Sequence, residues 1–510
     1  MNLIIKNISI FTVFFVIISI FISCENDSNS VEEIEINNEY PEITDFSFLK
    51  VNNPGLKNNV FLDIDGDKIS GRITEPINVS NLIATVDHKG SVILADNVVQ
   101  EASITRNNFN NIINYTVKTS DNKSKSYEVD VVRFTNLPIV FINTNESQPI
   151  VSKDDYVEGT VHIDGGRNFD SKEQSAIKIR GRGNSTWWVH PKKPYQMKFD
   201  DKTSMLNMAD EKKWIFLAEY SDKTMLRNTI AFELGYISKL DWTPKSTFAE
   251  VVVNNEYTGT YNISEKVEEG ESRVNISKEG FLLEIDQYDR LDFDDVYFNT
   301  NNFLINIKEP DLEFNDVKFI YIKDLINNFE NALNSPQFRD PSIGYSKYID
   351  IDSFIDWYLI SEITKNQDSK EFSSIYLNVD ESGIIKMGPL WDFDLAFGNV
   401  NYSECEFTSG FWVKHHKWYS RLFEDRNFVN KVKSRFVYFK QNKSAIIQKI
   451  DEYANQLKLA QQENDNVWNT LGIYVWPNPV YYSTYEEEVE HLKNWYSERM
   501  NWLDQAINEL

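Results

Sequence analysis

Between Tyr40 and Arg133 apolar and polar residues alternate. Ile113, Tyr115 and Val117 make one run and Tyr127, Val129 and Val131 the next, with SDNKSK between them. Period two broken by turn-forming residues predicts a β-hairpin, because successive side chains on a strand point to opposite faces. The same pattern recurs in FLDIDGDKISGRI and LIATVDHKGSVIL, so residues 40–133 are expected to form a small all-β, immunoglobulin-like sandwich. DIDGD, Asp63 to Asp67, has the opening letters of a calcium loop. Its Gly falls at the fourth loop position, however, and Thr74 rather than Glu stands at the twelfth, so it reads as a turn between strands.

Beyond Phe134 the two periods mix. Strand-like runs occur at IKIRG, PYQMKF, KWIFLAEY, TFAEVVVN and EYTGTYNISEKV, with one helix, SDKTMLRNTIAFELGYISK, inserted among them. After about Lys318 the pattern becomes helical, interrupted by a hairpin at FSSIYLNVDESGIIKMGPLWDFD, and Tyr485, Val489, Leu492, Tyr496, Leu503 and Leu510 close the chain at helical spacing. Residues 134–510 are therefore expected to be an α+β unit, a strand-rich half followed by a helix-rich half. A chain of 510 residues with 41% apolar side chains is long enough for more than one core.

The first 23 residues hold one Lys and a mostly apolar run too short to span a bilayer comfortably, which suits a signal segment over 1–23. Cys24 follows Ser23, the layout of a bacterial lipoprotein signal, although Ile22 is bulkier than the residue usually found there. Lipidation of Cys24, an acidic tether over 24–39 and a cell-envelope location, at an outer membrane or cell surface, are the expectations; a short membrane anchor is the alternative. The second cysteine, Cys405, leaves no disulfide framework in a chain expected to be exported. With 52 Lys+Arg against 78 Asp+Glu the net charge is −26, so the general surface repels phosphate backbones and a nucleic-acid partner is not expected.

Against that charge, IKIRGRGNSTWWVHPKKPYQMK carries Lys178, Arg180, Arg182, Lys192, Lys193 and Lys198 and no acid. Glycines beside Arg182 let backbone N–H groups approach an anion, while Arg and Lys supply charge. Lys198 falls on the opposite face of its strand from Tyr195, Met197 and Phe199. Glu233 sits at the margin of the stripe Leu226, Ile230, Leu234, Ile237, where it could orient Lys198; the bland reading is a solvated charge. Further on, Asp368 follows a helical run, and Asp392 and Asp394 flank Phe393 in WDFDLAF. Carboxylates brought together in an apolar run repel unless a cation lies between them, and hard oxygen ligands suit Mg²⁺ bound jointly with phosphates.

Taken in order, RGRGNSTWW with KKPYQMKF, KKWIFLAEYSDKTMLRNTIAFEL, NNEYTGTYNISEKVEEGESRVNI, NQDSKEFSSIYL, GPLWDFDLAFGN and RMNWLD resemble the CotH protein-kinase family. The unit in front resembles accessory domains of Bacteroidetes-type surface lipoproteins. The resemblance implies an atypical protein-kinase-like fold, with a strand-rich N-lobe above a helical C-lobe, and transfer of the ATP γ-phosphoryl group to a protein hydroxyl, Ser or Thr. It implies that Asp368 faces the acceptor hydroxyl and that Asp392, with Asp394, binds Mg²⁺. Strand order places Arg180, Arg182 and Lys198 at the nucleotide phosphates and Glu265, with Lys266, where a hinge would hold adenine. Kinases place a metal-binding Asn five residues after the catalytic Asp; here that residue is Ser373. Two other readings stay open: a surface adhesin using the fold as a scaffold, and a glycosidase using Asp368 and Asp392 as its carboxylate pair, which the basic island disfavours.

Overall fold

The computed structural model describes residues 40–510, so the expected signal segment, Cys24 and the tether lie outside the described residues. In the front unit a three-stranded and a six-stranded sheet share one core that includes Phe46, Phe48, Phe109, Tyr115 and Val129. The hairpin read from alternation is there: Ile113–Lys118 pairs antiparallel with Ser124–Arg133, Tyr115 opposite Tyr127. DIDGD supplies the short strand Asp63–Asp65 and the turn that leads from it into Lys68–Ile73.

The strand-rich half is a closed barrel rather than an open lobe sheet. Its seven strands are Ile139–Thr144, Val157–Asp164, Lys172–Gly181, Tyr195–Met205, Met208–Leu217, Ser246–Val253 and Glu256–Glu265. Neighbours in sequence pair antiparallel except where the last two exchange order, and closure comes from parallel pairing of Ile139–Ile142 with Glu250–Val253. Inward-facing Val161, Ile179, Met197, Trp214, Phe216, Ala249 and Ile263 fill the interior, so the barrel is a packed core and not a pore.

The inserted helix spans Arg227–Tyr236 and is buried nearly all round. Asp222 begins it: its carboxylate accepts from the backbone N–H of Thr224 and Arg227 and pairs with the Arg227 guanidinium, satisfying donors that a helix start leaves free. Leu226, Ile230 and Leu234 then join the second large core.

That core belongs to the helix-rich half. It is built on a five-stranded antiparallel sheet, ordered Val296–Asn299, Leu304–Glu309, Phe281–Asp286, Ile375–Val379, Ile385–Met387, with helices against it. The expected hairpin forms its last two strands, and three further strands between Phe281 and Glu309 complete the sheet. The closing helix, Tyr485–Asn508, opens with a capping box between Thr484 and Glu487 and buries Tyr485, Val489, Leu492, Tyr496 and Leu503 as their spacing requires. Among the described residues no helix is long and apolar enough to cross a membrane.

Candidate active site

Barrel and helix-rich half meet at a cleft of about 460 Å³. The barrel contributes the turn after Gly181, the ends of the 195–205 and 208–217 strands, and the segment after Glu265. The other half contributes Glu284, Asp286 and Arg290, Asp368, and the loop holding Asp392 and Asp394. Arg180, Arg182 and Lys192 of the basic island and the three aspartates, far apart in sequence, thus line one space.

Local structure explains the turn. A Cβ on Gly181 would lie 2.3 Å from the Trp187 ring, and Gly183 has φ +83°, so both glycines are required by packing and backbone shape. The room beside Gly181 is filled by Trp187 and not left for an anion. Between them, half-buried Arg182 lies over the Trp391 ring at 5.3 Å. Among the described residues its guanidinium makes no hydrogen bond or ion pair, leaving its donors free toward the cleft. Burial works against its charge, and Asp392 works to keep it. Arg180 also lines the cleft; it stacks over Tyr156 and donates one bond to the Asp154 carbonyl at 3.3 Å.

Lys198 is elsewhere. Met197 and Phe199 do face the barrel core, but Lys198 sits on the outer wall between Lys178 and Lys213 of the neighbouring strands and does not line the cleft. Nor does Glu233 approach it: the Glu233 carboxylate accepts from the Tyr453 hydroxyl at 2.6 Å, on the helix Lys443–Gln456. The expected lysine–glutamate pair is not formed. Glu265 is buried below the cleft, accepting from the Lys245 backbone N–H at 2.9 Å, while Lys266, Val267 and Glu268 form the wall.

The buried lysine of the cleft is Lys192. Its ammonium donates to the Thr260 carbonyl and to Asn464 Oδ1 at 2.8 Å and lies over the Tyr261 ring. Burial pulls its pKa down to about 7, against the opposing pull of Glu250 and Glu219. Flanked by prolines in HPKKP, it reads as a loop residue, and no periodicity marks it. Glu219 is held by Asn228 at 3.1 Å and pushed up to about 8 by burial and then Asp222. Asn228 also accepts from the Phe393 backbone N–H at 2.7 Å, so the inserted helix positions the Asp392 loop directly. Glu284 and Asp286 were missed as well; acids within the apolar strand FLLEID are the signal that could have found them.

Asp368 lies in the short turn Gln367–Ser369 that follows the helix Ile351–Thr364. Burial, and then the charge of Asp392, raise its pKa to about 7. Asp392 adopts φ +67°; its carboxylate accepts from the Ser374 hydroxyl at 3.2 Å and its carbonyl from Asn366 Nδ2 at 3.1 Å. Asp394 is raised well above the usual carboxylate range by burial, followed by Asp392, Glu219 and Asp368. Such mutually repelling hard oxygens fit a divalent cation. No three Asp, Glu, His or Cys side chains among the described residues stand ready as a complete metal cage. Asp392 and Asp394 would supply the one or two carboxylates by which Mg²⁺ is held where phosphate oxygens provide further ligands.

The profile described as CotH kinase protein matches residues 177–503, well over half the chain. The chain belongs to the CotH kinase family. No curated protein matches the sequence. A crystal structure described as a candidate glycoside hydrolase from Bacteroides thetaiotaomicron is 11% identical, with 57% of this chain and 88% of that one covered, and a TM-score of 0.16. So low a score carries no argument about fold or activity. The CotH match begins at Ile177, the first residue of the basic island, and leaves the front unit outside it.

Proposed function

We propose that this CotH protein is an exported, lipid-anchored kinase that moves the γ-phosphoryl group of ATP to a protein hydroxyl, with Mg²⁺. The observation that carries the reading is one cleft lined both by Arg182, without a side-chain partner among the described residues, and by the aspartates 368, 392 and 394. Phosphoryl transfer asks a protein mainly for positioning and charge neutralisation, and this cleft offers cations for phosphates beside carboxylates for a metal. Leu217, Val267 and Leu282 give it an apolar wall suited to a nucleobase. Arg182 and Arg180 would bind the phosphates, and Asp392 with Asp394 would hold Mg²⁺, which neutralises phosphate charge. Asp368 would orient the acceptor hydroxyl and take its proton. Incubating the full chain with γ-labelled ATP, Mg²⁺ and cell-envelope protein tests the reading, and label that stays on ATP or appears only as free phosphate counts against it.

Arg182→Ala is expected to weaken ATP binding about 10–100-fold, since hydrogen bonds to charged groups are worth roughly 1.5–3 kcal/mol. Lys198→Ala should leave the affinity within about twofold, as expected of a surface change away from the site. Calorimetric titration distinguishes them, and the reverse ranking would place the phosphates on the outer barrel wall.

The anchor belongs to the proposal too. Each buried CH₂ of a lipid on Cys24 adds about 0.8 kcal/mol of membrane affinity, so two acyl chains hold firmly. Cys24→Ser should move the signal-cleaved protein from the detergent phase to the aqueous phase, and its persistence in detergent would refute lipidation.

A further inference from the structure

Ser373 occupies the position, five residues after Asp368, where kinases keep the asparagine that binds a second metal. It is buried, and its hydroxyl is already engaged: Arg290 Nη1 donates to Ser373 Oγ at 2.7 Å. Arg290 ends the turn Tyr288–Arg290, just beyond the strand that carries Glu284 and Asp286. Gln287 Nε2 donates to the Glu371 carbonyl at 3.3 Å, which holds this turn against the 368–374 loop. Among the described residues the Arg290 side chain makes no other hydrogen bond and no ion pair, and it lines the cleft beside Asp368 and Asp292. A guanidinium carries five N–H donors in a rigid fork, so four remain for an anion. A divalent ion on the Ser373 hydroxyl would face that positive charge across one neutral oxygen, with no anionic ligand from Ser373 in return.

We propose that Arg290 is a catalytic residue of this kinase, supplying at the phosphoryl-transfer end of the cleft the positive charge that two-metal kinases obtain from their second ion. The proposal rests on the phosphotransfer reading above. In the step, the acceptor oxygen forms its bond to phosphorus while the bond from phosphorus to the β,γ-bridging oxygen breaks. The hydroxyl proton passes to Asp368, and ADP leaves with the electron pair. Charge spreads over the equatorial and bridging oxygens, and the free N–H groups of Arg290 are on the side of the cleft where Asp368 receives the acceptor. The electrostatics agree, since Arg290 opposes the rise in the Asp368 and Asp286 pKa values.

The test counts metal ions as well as turnover. Wild type saturated with the non-hydrolysable analogue AMP-PNP is expected to bind one Mn²⁺ per chain by electron paramagnetic resonance. Arg290→Ala is expected to lower kcat by roughly 10³-fold, the scale of a lost arginine finger, with a melting temperature lowered by only a few degrees for the lost bond to Ser373 and AMP-PNP affinity within about threefold. Arg290→Lys, which keeps charge but not the fork, should recover part of the rate. Arg290→Ala with Ser373→Asn should bind a second Mn²⁺. Two Mn²⁺ on wild type, or an Arg290→Ala rate within about threefold of wild type, overturns the proposal while leaving the kinase reading intact. If wild type binds no AMP-PNP at all, the phosphotransfer reading falls and takes this role of Arg290 with it. The wild-type metal count needs no variant to fold.

Discussion

Asp392→Asn is expected to abolish phosphoryl transfer while leaving the metal-free protein at least as stable as wild type. The charge of Asp392 stands among those that push Asp368 and Asp394 upward, and removing it relieves that repulsion. Asn keeps an oxygen able to accept from Ser374, so the local hydrogen bond survives. In metal-free buffer the variant should therefore melt at an equal or higher temperature. With Mg²⁺ and ATP the order should reverse, because ligand binding to the native state stabilises wild type by about 2.7 kcal/mol at a hundredfold excess over Kd. The lost cation costs several kcal/mol of transition-state stabilisation, about 10³-fold or more in rate. Asp368→Asn, by contrast, should keep the ligand-induced thermal shift and lose roughly 10²–10⁴ in rate, as expected of a missing base. A wild-type protein whose melting temperature ignores Mg²⁺ and ATP would leave the fold as a scaffold.

Arg499→Leu should have the largest effect on stability. Arg499 and Glu362 form an ion pair at 2.9 Å with both side chains fully buried. The guanidinium also donates to the carbonyls of Glu362, Thr408 and Gly410, while Glu362 accepts from the backbone N–H groups of Trp412 and Lys414. Removing one partner strands a charge in the core, which costs about 3–5 kcal/mol. Replacing both, Arg499→Met with Glu362→Leu, should recover only part, because each backbone group left unmet costs about 1–3 kcal/mol. Urea melts at constant pH measure both, and a single variant within about 1 kcal/mol of wild type would show that water reaches the pair. Activity should fall along with stability. Trp412 donates to the Asn366 carbonyl and Asn366 to that of Asp392, so this network ends at the loop that carries Asp392.

Elements whose signal is local could be read from sequence. The 113–118 and 124–133 hairpin, the closing helix from Tyr485 and the inward set Tyr195, Met197 and Phe199 each follow from a period of 2 or 3.6 that the core enforces. Lys198 shows where such reasoning stops. Alternation fixes which wall of a strand a residue faces, not which stretch of that wall borders a cleft. Gln196, on the same side, lines the cleft while Lys198 does not. Glu233 meets Tyr453, 220 positions away, and the barrel closes by pairing Ile139 with Glu250; neither partner leaves a mark nearby. Arg290 leaves no local mark either, because its contact with Ser373 spans 83 positions.

Three arginines join the front unit to the rest. Arg72 donates to the Phe134 carbonyl and pairs with Glu463 at 2.6 Å, Arg133 pairs with buried Asp164 at 2.8 Å, and Arg167 reaches back to the Asn110 carbonyl. Glu463 lies on the helix Ala460–Trp468, next to the Asn464 that holds Lys192 in the cleft. Side-chain contacts thus run from the front unit to the helix whose Asn464 holds Lys192. A load applied to the front unit therefore reaches the wall of the cleft through side chains as well as through the backbone.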